Sequence, residues 1–96
     1  MQIRWSRRAA QELHAAFDYI LLENEGAAYR TIDLIEELVE RLAEYPSLGR
    51  AGRVGSSREL VIPRTPYIVA YTVDLRRELV VIQRVLHGAQ AWPTEL

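Results

Sequence analysis

Polar and apolar residues alternate over positions 2–5 (Gln-Ile-Arg-Trp), the period of a short, half-buried strand. Ser6 follows at an N-cap position, where its hydroxyl can accept from an orphan backbone N–H. From Arg7 the period lengthens. Ala10, Leu13, Phe17, Ile20 and Leu21 recur at three- and four-residue steps and predict a helix that stops near Glu23. Asn24 and Gly26 mark a tight break. A second helical face follows in Ala28, Ile32, Ile35, Leu38, Val39 and Leu42. Asp33, Glu36, Glu37, Glu40, Arg41 and Glu44 lie on its other side, and Pro46 closes it. Helices joined so briefly must form an antiparallel hairpin.

Residues 46–57 are a loop rich in Gly, Ser and Arg. Beyond it the period is two, or the run is continuously apolar. Strands are predicted over Arg58–Ile62, Tyr67–Asp74 and Glu78–His87. Their short connections require antiparallel neighbours. The predicted order is β-α-α-β-β-β, an α+β fold with an antiparallel helical hairpin on one face of a mostly antiparallel sheet. Tyr67, Val69, Tyr71 and Val73 share a face and read as core, with base stacking as the sharper alternative. Ile68, Ala70 and Thr72 form the opposite face, which on that strand bears no charged group.

With 96 residues, one domain over 1–96 is expected. No apolar run reaches membrane-spanning length, and Gln11, Glu12, His14 and Asp18 break up any signal-peptide core, so a cytoplasmic protein is expected. The absence of cysteine excludes disulfides and thiolate chemistry. Two histidines 73 residues apart, with no acidic cluster beside them, give no metal site, and no phosphate-binding glycine motif or cofactor signature is present.

Charge changes the picture more. The net value of −1 does not indicate bulk attraction to nucleic acid. All 12 basic residues are arginines. Residues 1–45 carry five of them against nine acids, a balance of −4; residues 46–96 carry seven against four, a balance of +3. The acidic half is the hairpin and the basic half is the sheet with its approach loop. Arg50, Arg53, Arg58, Arg64 and Arg84 are candidates for binding an anionic partner, since guanidinium groups grip carboxylates and phosphates bidentately. Salt bridges to the acidic helices, or solvation of the surface, are the plainer reading; for Arg50 and Arg53, in the Gly-rich loop, contact with a partner or target is favoured. Arg58 and Arg84 lie inside strands, so they must be paired or point away from the hairpin. His87, at the end of the last strand, is either a general acid–base group or a strand-end cap. Trp5 and Trp92 read as packing against the sheet edge, with partner contact the alternative. His14 reads as a solvated helix residue.

The stretch YPSLGRAGRVGSSRELVI and the ending YIVAYTV…VLHGAQAWP, together with the element order, resemble the RelE/ParE superfamily of bacterial toxins. The resemblance covers nearly the whole chain and is most specific over 48–58 and 67–93. It implies the toxin half of a type II toxin–antitoxin module. The implied partner is an antitoxin whose C-terminal segment wraps the toxin, with operator DNA contacted only through that antitoxin. Across the superfamily, RelE-like members cut mRNA on the ribosome and ParE-like members inhibit DNA gyrase. The strand position that carries an arginine in the cutting branch is Ile68 here, and Gly88-Ala89-Gln90 stands where a basic or aromatic group is usual. The near-neutral charge also counts against docking on ribosomal RNA. The gyrase-directed reading is therefore expected, with Arg50, Arg53, Arg58, Arg64, Arg84 and Trp92 as binding residues. A ribosome-dependent ribonuclease using His87, Arg84 and Arg58 is the alternative, and an inactive antitoxin-binding module the second.

Overall fold

The computed structural model describes residues 1–96. Strand β1 (Gln2–Trp5) leads into helices α1 (Arg7–Leu21) and α2 (Glu25–Arg41). Strands β2 (Arg50–Ala51), β3 (Arg58–Val61), β4 (Tyr67–Asp74) and β5 (Leu79–His87) follow. The sheet order is β1-β5-β4-β3-β2. Only β1 runs parallel to its neighbour, and every later pairing is antiparallel.

The helices start where side chains can cap them. Ser6 Oγ accepts from the Ala9 N–H at 3.0 Å and donates to the Gln83 carbonyl at 3.1 Å, so one hydroxyl both caps α1 and ties it to β5. Asn24 is the N-cap of α2, accepting from the Ala27 N–H at 2.9 Å. The expected break at Asn24 and Gly26 is thus a helix start. The first-turn N–H groups have no intrahelical acceptors, and the cap serves one of them.

The core lies between the hairpin and the sheet. Ala9 and Ala16 of α1, Ile35, Val39 and Leu42 from the α2 side, and Leu60, Ile62, Tyr67, Val69, Tyr71, Val80, Ile82 and Val85 from the sheet side form one buried cluster. Ala9, rather than the expected Ala10, faces inward; two adjacent alanines give the period no means of choosing between them. The core role expected of Tyr67 and Tyr71 is borne out.

Two features depart from the expected sheet. The loop 46–57 contains β2, which pairs Arg50 with Glu59 and Ala51 with Arg58. The β4–β5 register also slips, so that Ala70 partners Arg84 while Tyr71 partners Ile82. This β-bulge absorbs one residue of β5 and changes the parity of every side chain beyond it. It is why alternation alone could not assign Arg84 to a face.

Candidate functional site

The loop between α2 and β3 is held by side chains from the sheet. The Tyr71 hydroxyl donates to the Pro46 carbonyl at 2.7 Å and accepts from the Gly49 N–H at 2.8 Å. Arg58 Nη1 donates to the Gly49 carbonyl at 2.8 Å. Both backbone polar groups of Gly49 are therefore taken by side chains. A Cβ at this position would stand 2.7 Å from the Tyr71 hydroxyl, so the close approach requires glycine. Burial pushes the Tyr71 phenol pKa above its ordinary value; the Gly49 hydrogen bond and the Arg58 charge oppose that rise.

Glu59 organises the next part of the loop. Its side chain is 2% exposed. Arg50 donates to Oε1 from Nε at 3.2 Å and from Nη2 at 3.0 Å, and the Arg53 N–H donates to Oε2 at 2.8 Å. A buried carboxylate needs such partners to stay ionised. By register Glu59 faces the same side as Ala70, away from the hairpin. That side is therefore not free of acid–base groups, as β4 taken alone implied. The Arg53 guanidinium carbon lies 3.8 Å from the Trp92 ring centroid, a cation–π contact. Trp92 Nε1 is buried without a hydrogen-bond partner. The C-terminal segment is thus laid against the β2–β3 loop.

The three residues considered for catalysis are each engaged elsewhere. Arg84 Nη2 lies 2.8 Å from Glu12 Oε2 on α1, and its side chain is only 12% exposed. That hydrogen bond raises the Arg84 pKa further above its ordinary value. Arg58 serves the Gly49 carbonyl, as described. Both arginines are paired, one of the two outcomes their strand positions required. His87 Nδ1 accepts from the Ala89 N–H at 3.1 Å. Its ring meets Tyr67 edge-on with centroids 5.5 Å apart.

Nor do the three converge. Arg58 partners Tyr71 on one side of β4, and His87 partners Tyr67 on the other. Strand spacings put their Cα atoms about 16 Å apart, with the buried Val69 between. Arg64 is separate again. It occupies the β3–β4 turn with φ of 63° and lines an open groove of about 520 Å³ with Arg30, Asp33 and Glu37. His87 lines a different cleft of about 310 Å³ with Glu12, Tyr19 and Tyr67. Burial, and secondarily the nearby Tyr19, raise the Tyr67 phenol pKa. No three His, Asp or Glu side chains converge on a metal-sized site. No helix is long and apolar enough to cross a membrane.

Sequence reasoning missed Glu12 and Glu59, the two acids that hold the arginines. Glu12 lies 72 residues from Arg84 and carries no local signal. Glu59 had one, as an acid within an apolar strand just after an arginine-rich loop. His14 gains an exposed companion, with Nε2 3.4 Å from Asp18.

A two-helix hairpin over this five-stranded sheet, with its arginine-bearing loop, defines a RelE/ParE superfamily toxin. More narrowly, the chain belongs to the ParE family, described as the ParE toxin of the type II toxin–antitoxin system parDE, whose pattern matches residues 3–92. It is 40% identical over 95 residues to the putative toxin Y4kP of Sinorhizobium fredii, covering 99% of this chain and 96% of that one. It is 35% identical over 89 residues to toxin RelE2 of Caulobacter vibrioides, covering 93% and 97% respectively. Among solved structures it resembles one described as a chromosomal ParDE TA system from P. aeruginosa, with a TM-score of 0.80 and 26% identity over 91% of this chain and 95% of that one.

Proposed function

We propose that the chain inhibits growth by binding DNA gyrase in the ParE manner, without catalysis of its own, and that a cognate antitoxin neutralises it. The engagement of Arg84, Arg58 and His87 carries this reading. Cleaving RNA requires a base at the 2′-hydroxyl and a cation at the phosphorane within reach of one phosphate. Arg84 is bound to Glu12, Arg58 holds a loop, and His87 is engaged by the Ala89 N–H and by Tyr67. The antitoxin partner is supported by the ParDE system of the structural relative and by the family description.

Purified protein is expected to inhibit gyrase supercoiling and to leave ribosome-bound mRNA intact. Cut transcripts with unaffected supercoiling would overturn the reading. The RelE-like alternative keeps one observation in its favour, the similarity to toxin RelE2. The same pair of assays separates the two.

A further inference from the structure

β2 covers only half of the β3 edge. Its two residues pair with Arg58 and Glu59, and Val61 lies beyond the end of that pairing. The Ile62 N–H bonds the Tyr67 carbonyl across to β4. Antiparallel alternation therefore turns the N–H and C=O of Val61 outward, away from β4. Continuing the β2 register would place Leu48 opposite Val61, but the Leu48 N–H instead closes a turn onto the Tyr45 carbonyl at 3.0 Å. The outward groups of Val61 form no hydrogen bond within the chain. A sheet edge with an unpaired donor and acceptor is a template for another strand.

The surroundings of this edge specify what would pair with it. Val61 is 47% exposed and Leu48 is 48% exposed, and they line one cleft of about 370 Å³ with Leu38 and Pro63. Arg41 and Arg50 lie on the same cleft. Arg41 meets Glu37 only at 3.8 Å with both side chains exposed, a contact that holds it weakly. The carboxylate in the cleft, Glu59, is already satisfied. Arg50 is bound to that carboxylate, so the charge left loosely held there is the guanidinium of Arg41. The wall is also rigid, because Tyr71 and Arg58 fix Gly49, next to Leu48.

We propose that the open β3 edge at Val61 is a docking strand for an extended partner segment in which apolar and acidic residues alternate. The segment pairs through the N–H and C=O of Val61, seats apolar side chains on Leu48 and Val61, and places a carboxylate on Arg41. Pro63 has no N–H and ends the pairing. The proposal rests on the reading that an antitoxin holds this chain, and it assigns that partner a strand at this edge.

A random dodecapeptide library selected on the whole folded protein is the probe. Enriched peptides are expected to alternate acidic and apolar residues. Val61→Pro removes the outward N–H without taking one from the β4 ladder, and it should weaken their binding about tenfold. Val61→Thr keeps the backbone donor and should leave binding near the native value. Arg41→Glu should weaken binding and flatten its salt dependence. Matching thermal melts of all variants establish that each is folded. Peptides with three- and four-residue apolar spacing, equal binding by Val61→Pro, or no enrichment would overturn the proposal. Growth arrest by the wild-type chain is read separately. Arrest with an edge that fails these tests removes the edge proposal alone. A peptide-binding edge without arrest removes the toxin reading and leaves the surface.

Discussion

Glu12 Oε1 accepts from Arg84 Nε and from the Val85 backbone N–H, both at 3.0 Å. One carboxylate on α1 therefore neutralises a strand arginine and satisfies a backbone donor beside the β-bulge. The pair joins the hairpin to the sheet where the β4–β5 register slips. Removing either partner leaves the other poorly solvated and unpaired, which costs about 2–4 kcal/mol for a partly buried pair. Urea unfolding of Glu12→Ala and Arg84→Ala should show losses of that order. The double variant should cost less than their sum, because the two removals share one interaction. Glu12→Leu combined with Arg84→Met should recover part of the stability, the Val85 N–H remaining unpaired, and should keep growth inhibition, whereas a catalytic Arg84 would leave that folded double variant inactive.

Tyr71→Phe removes the hydroxyl and strands the Gly49 N–H and the Pro46 carbonyl. The expected loss is about 1–3 kcal/mol, read as a lowered unfolding midpoint. Amide exchange at Gly49 should accelerate more than exchange in the β4–β5 ladder.

The raised pKa of Tyr71 gives a pH dependence of known sign. Its folded pKa lies above the unfolded value of 10.0. The folded state therefore holds this proton more tightly than the unfolded state does. The resulting stabilisation is complete below the unfolded value and is lost as pH rises through the folded one. Unfolding followed at increasing alkaline pH should show stability falling above about pH 10. The fall should be shallower in Tyr71→Phe. Tyr67 shifts in the same direction and adds to the slope that remains.

Glu59→Gln keeps the shape of the side chain and removes the charge shared by Arg50 and Arg53. The β3–β4–β5 ladder should survive, while amide protection at Arg53 and at the β2–β3 pairing is lost. Hydrogen exchange measured residue by residue checks this. Uniform loss of protection across the sheet would instead mean that Glu59 supports the whole fold.

His87→Ala should leave growth inhibition unchanged, because the ring is committed to the Ala89 N–H and to packing against Tyr67. Growth curves after induction, with the soluble protein level checked alongside, are the measurement. Loss of inhibition at an unchanged level would make His87 a target-contacting or catalytic group.

The hairpin and the three long strands were legible because each spans enough residues to establish a period. The two residues of β2 cannot establish one, and the bulge reverses parity without any mark in residue type. Ser6 was readable as a cap because its role is local. Asn24 was half-readable, since the same residue ends one element and starts the next. The partners of the arginines were not legible at all. Arg84 and Glu12 meet only after the hairpin has folded onto the sheet, and the Arg53 contact with Trp92 joins a loop to the far end of the chain. The charge division along the sequence foretold attraction between the two halves, and Arg84 with Glu12 realises it. Arg50 and Arg53 instead find their anion inside their own half, in Glu59.

β1 pairs in parallel with β5, so Gln2 must wait for Leu79 and Trp5 for Ile82. β5 is also the only strand bonded to both β1 and β4. During synthesis the first strand to emerge is thus an unpaired edge until nearly the last one follows. A nascent chain can form its hairpin early, but it cannot close the sheet that holds the arginines in place. The folded surface therefore arises late and as a unit, and a product cut short before Leu79 would leave β1 and one side of β4 without partners.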